Sequence, residues 1–226
     1  EHKKFRIDAY YLFDVYDDSR GWRTKPNVTA LKVFDNKILN TNSQGLRGKQ
    51  EFSLTRDRQK LRILILGDSF TFGDEVSDDE TYSHYLQQLL PQAEVINMGV
   101  HGYGHDQMLL LLKQEGLKYQ PDIVILGFLG LDMSRNILRF RDFAKPRFTL
   151  EGGKLKLTGT PVPSPEEILK WDWARPRILD VFSLLNHAVT KFFGIQKRQM
   201  RNITTAILTD MINVVVGIHA VPVFAY

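Results

Sequence analysis

Residues 61–73 read LRILILGDSFTFG. An almost unbroken apolar run climbs to Gly67, and a polar turn follows at once. A short apolar run bounded by a turn signal is the pattern of a strand buried on both faces. The serine behind it, Ser69, then falls on a tight turn between a strand and a helix. There its hydroxyl is exposed and its own N–H faces the same space. Similar short runs recur at residues 93–96, 123–126 and 221–225. Helical spacing lies between them. Tyr82, Tyr85, Leu86, Leu89 and Leu90 mark one helix face. Asp106 is expected to cap a second helix running through Met108, Leu109 and Leu112 towards Gly116, and Ile203, Ile207, Leu208, Met211 and Val215 mark a third. Short strands alternating with helices predict an α/β fold, with a central parallel sheet of four or five strands and helices on both faces.

Outside this alternation the chain has two other regions. Residues 1–59 are polar and aromatic and read as an N-terminal extension packed on the domain. Residues 28–34 look β-like there, and Asp35-Asn36 is a turn signal. The α/β domain then covers 60–226, with an insertion at about 137–199. In the insertion, 148–150 and 154–157 flank Glu151-Gly152-Gly153 as a hairpin. Ile178, Phe182, Leu185, Val189 and Phe192 recur at helical spacing after a proline-rich turn. This segment is expected to lie over the strand ends. The apolar run at 220–226 reads as a fourth strand, and the expectation is that more chain follows it.

Composition excludes several function classes. The 226 residues are 43% hydrophobic and 25% charged, ordinary for a globular domain with a sizeable core. Thirty basic against 26 acidic residues leave a formal charge of +4, spread along the chain. That argues against a nucleic-acid module or a polybasic anchor. With no cysteine there is no disulfide, no thiolate metal site and no cysteine nucleophile.

Ligands of an open parallel sheet bind beyond the carboxyl ends of its strands. The first strand ends in Gly67-Asp68-Ser69, the second in NMGVHGYG at 97–104, and the third in GFLGLD at 127–132. Glycines in the second segment allow backbone N–H groups to approach a developing oxyanion. Together the three segments resemble the SGNH hydrolases, the GDSL-type esterases and lipases, in a bacterial branch. Residues 21–27 and 41–47 look like leader segments of that branch. The resemblance implies a three-layer α/β sandwich of the SGNH/flavodoxin-like kind. It implies Ser69 as nucleophile and Gly102 as an oxyanion-hole donor, with Asp68, Leu131 and Asp132 lining the site. It implies an acyl-enzyme mechanism on an ester, in some relatives an O-acylated carbohydrate, with no metal or organic cofactor. O-acyltransferases of polysaccharides and non-catalytic carbohydrate-binding relatives are the alternatives. An extracytoplasmic location and a membrane anchor outside these residues also fit the resemblance.

Two features depart from the family. Leu131 stands where an asparagine donor is usual, and its side chain is expected to wall the Ser69 pocket. Asn136 is the nearby amide in a position to compensate. The Asp-x-x-His block that carries the general base does not occur in the chain, so no histidine in it is expected within reach of Ser69. Asp68 itself reads as a structural acceptor for the turn. His101 and His105 are spaced as metal ligands on a helix would be, but Gly102 and Gly104 argue against a helix there. The acidic stretch from Asp74 to Glu80 reads as a solvated loop and helix start.

Overall fold

A computed structural model describes residues 12–174 and 194–226, the side chains of 171–174 excepted. The centre is a four-stranded parallel sheet of β5 (Leu61–Leu66), β6 (Ala93–Asn97), β7 (Ile123–Gly127) and β10 (Val221–Ala225), in the order β10-β7-β5-β6. Along β5, side chains alternate between two cores, as a strand's period of two requires. Ile63 and Ile65 join Ala93 and Val95 on one face, while Leu64 and Leu66 join Ile96, Val124 and Leu126 on the other. The charge within the run, Arg62, sits near its amino end, where Glu94 and the Tyr119 carbonyl take its guanidinium.

Helices cover both faces, making three layers. On the second face lie α3 (His105–Gln114) and α6 (Ile195–Gly217), which bury Met108, Leu109, Leu112, Ile203, Ile207, Met211 and Val215. Truncating a fully buried leucine such as Leu64 to alanine at this packing density costs about 2–5 kcal/mol. The first face is covered by α2 (Tyr82–Leu89), and here the expected stripe is corrected. Leu86 and Leu90 pack on the sheet, but Tyr82, Tyr85 and Leu89 are exposed. Gln87 takes the inward position because β6 is an edge strand with open backbone groups. Its amide donates to the Ala93 carbonyl and accepts from the Val95 N–H, both at 2.9 Å.

The N-terminal region folds as two hairpins, β1 (Asp14–Asp17) with β2 (Gly21–Thr24) and β3 (Leu31–Val33) with β4 (Lys37–Leu39). The turn at Asp35 and Asn36 has positive φ at both residues, as its sequence signal requires. In the insertion β8 (Arg147–Glu151) and β9 (Lys154–Thr158) form the expected hairpin, which packs on α3 and α6, and α5 (Pro165–Ala174) follows. The helical stripe from Ile178 to Phe192 lies outside the described residues. Among the described residues no helix is long and apolar enough to cross a membrane.

Candidate active site

β5 has β6 on one side and β7 on the other, so the strand order reverses at its carboxyl end. Such a switch point is where an open α/β sheet forms a ligand crevice. Ser69 opens the four-residue helix α1 (Ser69–Phe72) directly there. Its seat is built by glycines from three strand ends. A Cβ on Gly67 or Gly127 would strike the Thr71 hydroxyl, and one on Gly99 would strike the Phe72 nitrogen. Thr71 fills the gap they leave and hydrogen-bonds the Tyr82 hydroxyl at 2.9 Å. Asn97, ending β6, donates from Nδ2 to the Thr71 carbonyl at 2.7 Å. The Ser69 turn is thus pressed onto the sheet by its neighbours.

Asp68 caps α1, accepting the Phe70 N–H on Oδ1 at 3.0 Å. Its other oxygen, Oδ2, lies 3.5 Å from Ser69 Oγ and 3.1 Å from Arg135 Nη1. Arg135 ends the short helix α4 (Asp132–Arg135), and its Nη1 also donates to the Tyr103 carbonyl at 2.8 Å. It approaches Asp132 Oδ1 at 2.5 Å, a close ion pair whose angles do not make a hydrogen bond. Asp132 is completely buried. Burial first, and the negative charge of Asp68 next, push its carboxyl up to about 8 against the pull of Arg135.

The second strand's extension, residues 98–104, runs beside this turn, held by Met98 N to Ile65 O and Val100 N to Gly67 O. Gly102 adopts φ of 74°, and Arg141 Nη1 occupies the place a Cβ would take. Among the described residues neither the Ser69 N–H nor the Gly102 N–H has a hydrogen-bond acceptor. The N-terminal hairpin braces this loop from outside. Trp22 Nε1 donates to the His101 carbonyl at 2.8 Å, and the buried Tyr103 hydroxyl donates to the Trp22 carbonyl at 2.5 Å. The His101 ring joins the loop to the far end of the Ser69 turn, with Nδ1 2.9 Å from Asp74 Oδ2. Asp14 is buried beside them, its carboxyl pushed up to about 7 by desolvation.

Several expectations meet this geometry differently. Asn136 is fully buried and committed: it donates to Thr204 Oγ1 at 2.8 Å and to His105 Nδ1 at 3.3 Å, and accepts from the Asp106 N–H. It is an anchor for α4, not a free donor. His105 starts α3, stacks on Phe128, and is held neutral by burial, which lowers it to about 4. Neither it nor His101 hydrogen-bonds Ser69 Oγ. The described residues contain no metal-ligand cluster. Asp106 does not cap α3; Gly104 does, and Asp106 is buried in the first turn, paired with Lys145. Leu131 precedes Asp132 with its side chain 71% exposed. The acidic stretch after Ser69 is not simply solvated, because Asp74 holds His101 and Asp78 holds Arg47.

Arg135 and the Trp22–Tyr103 brace went unread in the sequence. A signal for Arg135 existed: Asp132, Arg135 and Asn136 set polar side chains at i, i+3 and i+4 immediately beyond an apolar strand.

No family model matches the chain, and no curated protein matches it. Solved structures to which it is similar include AlinE4, described as an SGNH-hydrolase family esterase, at 28% identity and a TM-score of 0.32. Two point mutants of that esterase match at 28% and 27% identity with the same TM-score. Each match covers 37% of this chain and 47% of the other, so the chain spans about half the length of the structures it resembles.

Proposed function

We propose that the protein is a serine esterase of the SGNH type. The observation that carries this reading is the placement of Ser69 at the switch point, with the unengaged N–H groups of Ser69 and Gly102 on adjoining strand-end segments. In this reading Ser69 Oγ attacks the ester carbonyl. The carbonyl oxygen becomes an oxyanion held by the two backbone donors. The C–O bond to the alcohol then breaks, the leaving oxygen takes up the proton that Ser69 Oγ lost through the general base, and the acyl-enzyme is resolved by water or by the hydroxyl of a glycan. Hydrolysis and acyl transfer share this intermediate. An O-acylated carbohydrate outside the cytoplasm is the substrate the sequence resemblance favours.

The reading needs a histidine in reach of Ser69 Oγ, and none of the described ones bonds to it. In the intact protein Ser69→Ala should lower turnover by roughly 10⁶, the scale of nucleophile removal in serine hydrolases. Turnover unchanged by Ser69→Ala refutes the assignment. A second reading, a non-catalytic carbohydrate-binding relative, is favoured by Leu131, which cannot donate to an oxyanion. Under the esterase reading Leu131→Asn raises kcat, by up to about 10² for one added donor. Under the binding reading it creates no activity.

A further inference from the structure

Three strand-end segments must hold their spacing for two backbone donors and a hydroxyl to meet one carbonyl. A single nitrogen touches all three. Arg135 Nη1 lies 3.1 Å from Asp68 Oδ2 on the first segment and 2.8 Å from the Tyr103 carbonyl on the second. It lies 2.5 Å from Asp132 on the third. The Asp68 oxygen it meets is the one that Ser69 Oγ approaches at 3.5 Å. The guanidinium therefore stands within two hydrogen-bond lengths of the hydroxyl. We propose that Arg135 is the positioning residue of this site, fixing the Ser69 turn against the Gly102 loop through Asp68 and the Tyr103 carbonyl. The inference rests on the esterase reading for its catalytic consequence.

The surroundings of Arg135 are built for that duty. A helix of one turn cannot hold itself, and α4 is tied from behind by Asn136, which reaches α3 and α6. Gly104 leaves room for the arginine stem: a Cβ there would lie 2.9 Å from Arg135 Cβ. Asp132, the other carboxyl beside the guanidinium, has both oxygens buried without a hydrogen bond. With its proton retained near neutral pH, it leaves the arginine's charge directed to Asp68. The other nitrogens of Arg135 make no hydrogen bond among the described residues, and the side chain keeps a small exposure of 13%. Lysine keeps the charge, but its ammonium ends one bond short of where Arg135 Nη1 stands, so it does not reach all three segments at once.

The test uses Arg135→Lys and Arg135→Ala in the intact protein, with Ser69→Ala as control. Three quantities are measured: the rate at which a fluorophosphonate labels Ser69, kcat and KM for p-nitrophenyl acetate, and the urea midpoint. Arg135→Lys should keep a near-wild-type midpoint, lose roughly 10²-fold in kcat and labelling rate, and change KM little, as misplacement of a positioned group does. Millimolar guanidinium should restore activity to Arg135→Ala. Wild-type rates in a folded Arg135→Lys overturn the proposal. So does a loss in Arg135→Ala that guanidinium does not rescue and that follows the urea midpoint. If the wild type shows no Ser69-dependent labelling or turnover, the esterase reading fails by itself. Amide hydrogen exchange then decides the positioning role. Exchange at Phe70 and Tyr103 should quicken together in Arg135→Lys while β5 is unchanged, and unaltered exchange at both overturns it.

Discussion

Two arginines hold two acidic regions on either side of the Ser69 helix, and they are used in opposite ways. Arg47, from the N-terminal region, is saturated. Its Nε meets Asp78 at 2.7 Å, its Nη1 the Gly73 carbonyl at 3.1 Å, and its Nη2 the Val76 carbonyl at 2.8 Å, with the Phe72 ring 5.0 Å beneath. Arg135 sends all its described hydrogen bonds through one nitrogen and sits beside a buried carboxyl that no hydrogen bond satisfies. A saturated arginine is structural glue. One left with unused donors beside an unsatisfied acid marks a place where stability has been given up, as functional sites do.

That contrast is open to attack from both ends. The largest stability effect belongs to the saturated side. Arg47→Met leaves the Gly73 and Val76 carbonyls without their donor and Asp78 with only its two bonds from Asn40, and should cost about 3 kcal/mol in urea unfolding. A loss as small as that of a surface substitution would show that Arg47 is not the clamp it resembles.

Asp132→Asn should act in the opposite direction. The folded protein holds the Asp132 proton up to about pH 8, whereas an unfolded aspartate releases it near 3.8. Each unit of pH between those values therefore works against the folded state of the wild type. The asparagine variant escapes this, so its stability advantage should grow steadily from pH 4 to pH 8 and stay level above. An advantage that shrinks as pH rises contradicts the buried, protonated carboxyl. Smaller still is Leu131→Asn, whose exposed side chain should leave stability within about 0.5 kcal/mol of wild type while its effect on kcat is read separately. Smallest is Lys37→Met. Its pair with Glu80 is exposed, so any change in unfolding midpoint should vanish at high salt.

The architecture was legible because it rests on periodicity and punctuation. LRILIL and its three counterparts are all strands of the one sheet, and the stripe from Ile203 to Val215 faces the core. The stripe on α2 misled because tyrosine and leucine at helical spacing do not say which neighbour they meet. The sheet edge needed an amide there, and Gln87 supplied it. The strand-end positions of Asp68, Ser69 and the loop through Gly102 could be read from the sequence because glycines punctuate each strand end. Arg135 was not, because its partners lie far off in sequence, at Asp68 and Tyr103. The brace from Trp22 to Tyr103 spans still more chain, and a lone tryptophan in a polar leader carries no local sign of what it touches. The acidic stretch at 74–80 has the composition of a solvated loop; only the fold reveals that Arg47, Lys37 and His101 meet it.

The most direct measurement is identification of the residue that a fluorophosphonate modifies in the intact protein, by mass spectrometry of the digested adduct. The account predicts a single phosphonylated peptide carrying the modification on Ser69, absent in Ser69→Ala. An adduct on any other serine, or one that persists in Ser69→Ala, would contradict it.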